Sequence, residues 1–503
     1  MSDDEAPAGH CRSHRSVLKP APKGETGRVD AIVMPAARTA EHLLPGMNLA
    51  AQLGCEFVAL CSGQVQIKEA VGLAHEVPGL SWTLVDLNQP WTSDLLEFRT
   101  SRFAAATALR TSDLSAKRNI GLLLARLAGW ECILFLDDDI TLTADTVREA
   151  AATLRPGRAT GMRALDFPDN SVVCHALRIV DPKQDVFVSG SALLVDTGRI
   201  DSFFPDVYNE DWFFLFDLVR LGGVSTVGEV RQEKYAPFAD PERAAREEFG
   251  DILAEGLMSL LHYAGGTQRA LTEKYWDTEL VERRALLGSI VRRLAGSDHP
   301  DAPAASAAVT AAAELAGDFT GALLARYVRQ WRRDVRLWRT RIDALKPLYS
   351  LDEALAWLRL PAVRKESAQP EDQPLLEPGR VPVERLAQAG APEAVLAVQG
   401  ARRLVPVQDP QPDPRYPLVP KVRKHRGHQL GADAPVARRR SDPEEAQVAV
   451  GGIDVPSGRR ADERQHDPRL VDADKPRTAP QFLLPFMRVV TSLLLVRGQE
   501  RLR

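Results

Sequence analysis

Cysteine is scarce in this chain. Five of its 503 residues are Cys (Cys11, Cys55, Cys61, Cys132, Cys174), an odd number with no CxxC pair. That argues against a disulfide framework and for free thiols in a reducing compartment, with Cys55 and Cys132 set among apolar neighbours. A strong charge of either sign is also missing. The net charge of −4 and the pI near 6.3 exert no overall pull on nucleic acid or on an anionic membrane. Long hydrophobic runs are lacking too. The opening stretch MSDDEAPAGHCRSHRS has no apolar core of a secretory signal. The best run elsewhere, Phe482 to Val496, is short for a membrane span and is interrupted by Pro485 and Arg488. The expectation is a cytoplasmic protein that binds no nucleic acid, with a peripheral contact at the inner face of the membrane left open through that last segment.

What is present is enough hydrophobic residue, 44%, to fill a sizeable core, on a chain long enough for two or three regions. Residues 1–27 are polar and read as disordered. From Arg28 the chain alternates short apolar runs with helical stretches: DAIVMP, EFVALCSG, SWTLVDL and CILFL as strands, AEHLLPGMNLAAQLG and SAKRNIGLLLARLAG as helices. This alternation predicts an α/β domain over 28–265 with a mainly parallel sheet. After Val224 strand signals thin out, and 266–360 reads as a helical region. Within it Leu324, Val328, Trp331, Val335, Trp338, Ile342 and Leu345 alternate four and three apart, a seam suited to a helical hairpin or to a homodimer. The arginines between them read as a solvated face bridged to neighbouring acids. Residues 361–480, rich in proline and charge without a period, read as a disordered low-complexity tail, followed by a short amphipathic segment over 481–503.

The segment ILFLDDDITL, 133–142, ends an apolar strand in three aspartates. Like charges raise one another's pKa and burial raises it further, so the arrangement demands a positive partner. Ligands of an open α/β sheet bind beyond the carboxyl ends of its strands. If the strand geometry persists, Asp137 and Asp139 face one way and Asp138 the other. Two carboxylates on one side suit a hard divalent cation. The plainer alternative is loop acids capping the next helix, although Thr143 and Asp145 already serve it.

Lys117 and Arg118, in LSAKRNIGLLLA, fall in the expected first turn of a helix. A basic pair there makes sense if a phosphate docks at that end, with Asn119 on the same ligand; otherwise it is an ordinary exposed pair. The third element is NEDWFFLFDLVRLGG, with Asn209 as N-cap, Glu210 and Asp211 in the first turn, and Gly222 or Gly223 at the end. It follows the small-residue loop VSGSALLVD, which contains Gly190, and is flanked by Tyr208, Trp212 and Phe213. A carboxylate among aromatic residues suits a general base facing a sugar hydroxyl, and first-turn acids also complement a helix dipole.

Strand-Pro-Ala-Ala-Arg38, then KRNIGLLLA, ILFLDDDI, VSGSALLVD and NEDW, in this order and at these intervals, resemble a GT-A type nucleotide-sugar glycosyltransferase of the family-2-like group. The resemblance covers roughly 28–265. It implies transfer of a sugar, a hexose for preference, from a nucleoside diphosphate donor to an acceptor hydroxyl. It implies Mg²⁺ or Mn²⁺ on Asp139 and Asp137, with Arg38, Lys117, Arg118, Asn119, Asp137, Asp138 and Gly190 around the nucleotide-sugar. Glu210 and Asp211 correspond to the acceptor-side acid pair, the aspartate being the base in inverting members. His262 is the positional counterpart of a late histidine that some relatives use as a metal ligand, whereas His175, in VVCHALRIV, reads as a sheet residue. The chain departs from the family in having only Cys61–Gly63 where the nucleobase is often read. A nucleotidyltransferase on a related fold would show a Gly-rich loop after the first strand, which MPAARTAEHLLPG lacks. A non-catalytic scaffold would be expected to have lost Asp139 or Asp211.

Overall fold

The apolar runs form the strands β1 (Ala31–Ala36), β2 (Glu56–Cys61), β3 (Ser81–Asp86) and β4 (Cys132–Leu136), and β1 and β4 are buried along their whole length. Burial on both faces is what central parallel strands require. The computed structural model describes residues 13–21, 27–107, 112–165, 171–182, 188–262 and 266–366. The tail expected over 361–480 therefore lies outside the described residues except at its start, and the segment 481–503 lies outside them entirely.

Five more strands complete one sheet: β5 (Ile140–Thr141), β6 (Ala159–Leu165), β7 (Ala192–Asp196), β8 (Val224–Gln232) and β9 (Ala362–Lys365). The order of the nine is β5-β8-β6-β7-β4-β1-β2-β3-β9. Strands β1, β2, β3, β4, β6 and β8 run one way, β7 is antiparallel between β4 and β6, and β5 and β9 are antiparallel at the edges. The helices, in chain order, are α1 (Leu44–Leu53), α2 (Ile67–Glu76), α3 (Ala104–Thr107), α4 (Leu114–Ala128), α5 (Ala144–Thr153), α6 (Val172–Val180), α7 (Glu210–Arg220), α8 (Glu242–Ser259), α9 (Glu273–Leu294), α10 (Ala302–Gly317), α11 (Gly321–Ala344) and α12 (Leu351–Leu358). The expected class, an α/β mainly parallel sheet followed by a helical region, is the class observed.

Alternation along the strands sorts the core into two. Ile32, Met34, Phe57, Ala59, Leu84 and Leu134 face α1, α2 and α5, whereas Ala31, Val33, Val58, Leu60, Val85 and Phe135 face α4 and the remaining helices. The boundary expected at 265 falls inside that second layer, because α10 packs on α6 and α8 as well as on α9. Gly54, at φ +66, closes α1, and Thr143 caps α5 by accepting from Thr146 N at 3.2 Å.

Several expectations need correction. Residues 13–21 of the supposedly disordered leader are structured. His14 is 3% exposed, its Nδ1 lies 3.0 Å from His262 Nε2, and its ring packs edge-on against Trp212. His175 belongs to a helix, because Val172, Val173, Ala176 and Leu177 are buried at helical spacing and Ser171 caps the first turn. The sheet also extends past the boundary drawn at 361, since β9 pairs antiparallel with β3. The heptad seam of α11 is consumed inside the chain: Leu324, Val328, Trp331, Val335, Trp338 and Ile342 are all buried. It is not free to seat a second copy. The arginines of α11 do bridge to neighbours, with Arg332 and Arg339 reaching Asp217 of α7 at 2.8 and 3.3 Å. Among the described residues no single helix is long and apolar enough to cross a membrane; α10 and α11 pass such a test only as a pair bent by 87°.

Candidate active site

The cation that three adjacent aspartates demand is supplied by the chain itself. Strand β4 stops at Leu136, and the backbone turns at once, Ile140 N donating to Asp137 O at 3.2 Å. The turn breaks the strand alternation, so the aspartates do not sort as the sequence predicts. Asp137 accepts from Arg118 Nη2 at 2.9 and 3.1 Å. Asp138 Oδ2 accepts from the backbone amides of Ala37 and Arg38 at 3.0 and 3.2 Å, which ties the end of β4 to the loop after β1. Asp139 Oδ2 accepts from Arg38 Nη2 at 2.9 Å and from Gln232 at 3.3 Å. Arg38 also reaches Glu233, at 2.8 Å, so one partly exposed guanidinium spans two elements of the acidic rim. Burial, with Asp139 and Asp138 nearby, pushes Asp137 up to about 7 against the pull of Arg118. Asp139 is also raised by burial, opposed by Arg38.

Helix α4 starts at Leu114, so Lys117 and Arg118 are its fourth and fifth residues rather than first-turn residues. Both are buried against the sheet, at 1% and 2% exposure. Lys117 Nζ donates to Ala36 O at 2.8 Å and to Ser62 Oγ at 2.7 Å and pairs with Asp113, bracing the ends of β1 and β2. Ser62, the hydroxyl in the Cys61–Gly63 stretch, is thereby occupied. Asn119 is consumed by backbone: it exchanges two 2.8 Å hydrogen bonds with Phe204. Neither Lys117 nor Asn119 is directed at an open anion site.

Arg118 is the hub. Its Nη1 donates to Glu210 Oε1 at 2.8 Å while its Nη2 holds Asp137, so the acids at the start of α7 and at the end of β4 are joined by one guanidinium. Its Nε is buried with no partner among the described residues. A Cβ on Gly190 would stand 2.6 Å from Arg118 Nη1 and 2.7 Å from Cζ, which is why the small-residue loop is needed here. Gly190 N donates in turn to Asp211 Oδ2 at 2.6 Å, and Trp212 N donates to Asp211 Oδ1 at 2.9 Å. Burial and the neighbouring Glu210 push the Asp211 carboxyl up, against the pull of Arg118.

Arg118, Glu210 and Asp211 open on a cleft of about 330 Å³ whose wall also includes Ser189, Ser191 and Tyr208, while Arg38 and Asp137 to Asp139 lie outside its lining. Arg243, Arg246 and Glu247 of α8 line its far side, residues the sequence reading missed. The aromatic run after Asp211 is core: Phe214 stacks on Phe204 at 4.3 Å and Phe213 meets Trp331 edge-on at 5.1 Å. Of Tyr208, Trp212 and Phe213, Tyr208 alone lines the cleft, where Phe249 of α8 is a second aromatic residue. Asn209 precedes α7 as expected but makes no side-chain cap; it adopts φ +59, ψ +36 and its Nδ2 donates to Asp251 Oδ1 at 3.0 Å.

His262 does not join the aspartates. It contacts His14 and Ser16 instead, and among the described residues no group of three His, Cys, Asp or Glu side chains converges as a metal cluster would. Asp139, held by the partly exposed Arg38 and by Gln232, is a hard oxygen donor of the kind that a dication takes alongside phosphate and water, whereas Asp137 is already paired with the buried Arg118. Burial pushes the thiols of Cys55, Cys61 and Cys132 up to about 12, away from the reactive thiolate.

No family model matches the chain, and no curated protein matches it. Among solved structures the chain is similar to the galactosyltransferase LgtC, crystallised in complex with donor and acceptor sugar analogues, at 15% identity over 39% of this chain and 72% of that one, with a TM-score of 0.22.

Proposed function

We propose that this chain is a glycosyltransferase that moves a sugar from a nucleoside diphosphate donor to an acceptor hydroxyl. One observation carries the reading: Arg118 joins Asp137, at the end of β4, to Glu210, at the start of α7, beside an open cleft. The acids that would face a donor and those that would face an acceptor are thus fixed to each other at a sheet's carboxyl edge.

On this reading the diphosphate lies over the turn Asp137–Asp139. Asp139, with Asp137 as the second candidate ligand, would hold Mg²⁺ or Mn²⁺, which would neutralise charge on the leaving diphosphate. Arg38, partly exposed and already spanning Asp139 and Glu233, is the mobile cation that a diphosphate recruits. Arg118 stays in place and keeps the two acid sets aligned, and Lys117 acts behind it by bracing β1 and β2. Asp211 takes the acceptor proton in an inverting reaction, a role that its raised pKa suits, or orients the acceptor in a retaining one. Cytoplasmic residence and peripheral attachment to the membrane belong to the same proposal.

The test is a thermal-shift screen of UDP-, GDP- and dTDP-sugars with and without Mn²⁺. Stabilisation by one donor that needs Mn²⁺ and disappears in Asp139→Ala supports the reading. Stabilisation by nucleoside triphosphates alone, or by no nucleotide, sinks it.

A further inference from the structure

Arg283 stands in α9, outside every motif that points to the site, yet its guanidinium is buried and spent on two acids of α8. Its Nε and Nη2 donate to the two oxygens of Glu248 at 2.8 and 2.7 Å, and Nη2 donates to Asp251 Oδ2 at 2.6 Å. Glu248 and Asp251, one turn apart on α8, are 0% and 2% exposed, so without a cation between them one would have to protonate or move. The other oxygen of Asp251 accepts from Asn209 Nδ2 at 3.0 Å. Asn209 sits in the left-handed region at φ +59, a conformation uncommon outside glycine that the surroundings must hold. The next two residues are Glu210 and Asp211. Helix α8 also lies against this turn directly: a Cβ on Gly250 would stand 2.3 Å from Tyr208 O.

We propose that Arg283 is a positioning residue for Glu210 and Asp211, acting through Asp251 and the left-handed Asn209. The assignment of Glu210 and Asp211 to an acceptor rests on the function proposed above; the mechanical link does not. Arginine is required because one planar fork must serve both carboxylates, which the point charge of lysine cannot do. Helix α9 therefore contributes to the site by fixing the entry of α7, while its neighbour α8 lines the cleft.

The link is read by hydrogen–deuterium exchange on the full chain, following the amides of Gly190 and Trp212, both of which donate to Asp211. Arg283→Met is expected to speed exchange in the peptides holding those amides by about tenfold or more, with β1 and β4 changing far less. Asn209→Gly keeps the left-handed turn and deletes only the tether, so it should give the same local rise, and the double variant should be no worse than the larger single one. Unchanged exchange at Gly190 and Trp212, or a rise only in step with the sheet, overturns the proposal. If Arg283→Met does not fold, Asn209→Gly decides alone on the same criterion. With a donor and acceptor that turn over, both variants should lower kcat, leave the donor KM within about twofold, and displace the acid limb of the kcat profile; a merely smaller active fraction would leave that limb in place. A local exchange response in a protein that turns over no sugar nucleotide leaves the link standing and removes the glycosyl-transfer reading. Turnover without an exchange response does the reverse.

Discussion

Arg118 Nη2 lies 2.9 Å from Asp137 Oδ1, and this contact fixes the N-terminal part of α4 to the end of β4. The same guanidinium holds Glu210, so its removal strands two largely buried carboxylates at once. Breaking a buried pair from one side costs about 3–5 kcal/mol. Arg118→Leu should lose roughly that much in urea denaturation, and Arg118→Lys should recover only part of it because a single ammonium cannot address both acids. A triple variant, Arg118→Leu with Asp137→Asn and Glu210→Gln, should regain stability without regaining donor binding. A single Leu variant as stable as the parent would mean that the contact is not made in solution.

Gly190 makes that arrangement possible by giving up its side chain. The Cβ of alanine would stand 2.6 Å from Arg118 Nη1, well inside contact distance. Overpacking of this kind costs about 1–3 kcal/mol, and the guanidinium must retreat from Asp137 or Glu210 to relieve it. Gly190→Ala is therefore expected to fold with a lowered melting temperature and at least tenfold lower turnover. Parent-like values in both measurements would remove the steric argument.

These two residues also mark what the sequence discloses and what it hides. The strands β1 to β4 and the helices α4, α5, α7 and α11 are legible because apolar spacing and caps such as Thr143 and Gly54 agree with the fold. Strands β6 and β8 are not, since β8 is half exposed and carries Gly228, Glu229 and Arg231, with no apolar run. His175 is misread because a short apolar segment fits strand and helix alike until its cap is recognised. In the site, Arg118, Glu210, Asp211 and Gly190 come together, as do Arg38, Asp138 and Asp139. What could not be read is who neutralises whom: Arg38 is 101 residues from Asp139 and Arg118 is 92 from Glu210 in sequence, pairings that only the sheet order creates. Arg283 gave no signal at all, being one arginine in a charged helix.

Arg38 occupies Asp139 through a 2.9 Å contact, so the dication proposed for this carboxylate would have to compete with the guanidinium. The contact is partly exposed and worth little by itself, about 1 kcal/mol, which makes the competition winnable. Arg38→Gln should bind Mn²⁺ about three- to tenfold more tightly than the parent in calorimetry without nucleotide, while binding of a nucleoside diphosphate weakens. Adding nucleoside diphosphate to the parent should close much of the gap in Mn²⁺ affinity. If Arg38→Gln binds Mn²⁺ no better than the parent, the metal does not use Asp139.

Glu56 provides a pH test far from the cleft. It opens β2, opposite Ala31 and Ser81, at the end of the sheet away from the aspartates. Burial pushes its carboxyl from 4.5 up to about 7, with the hydrogen bond from Thr83 Oγ1, 2.8 Å, only partly offsetting the shift. A carboxyl with a raised folded-state pKa binds its proton more tightly in the folded chain than in the unfolded one. Stability from this group is therefore highest below its unfolded pKa and declines as pH rises from about 4.5 to about 7, then levels off. Asp137, Glu247 and Glu248, each raised to about 7, slope the same way, so the parent curve alone does not isolate Glu56. The difference curve against Glu56→Gln does, because glutamine keeps an oxygen for Thr83 and cannot ionise. The variant should match the parent near pH 4.5 and exceed it by about 1–3 kcal/mol at pH 8, with turnover unchanged. A difference that is flat across that interval would mean that Glu56 is solvated rather than shielded beside Thr83.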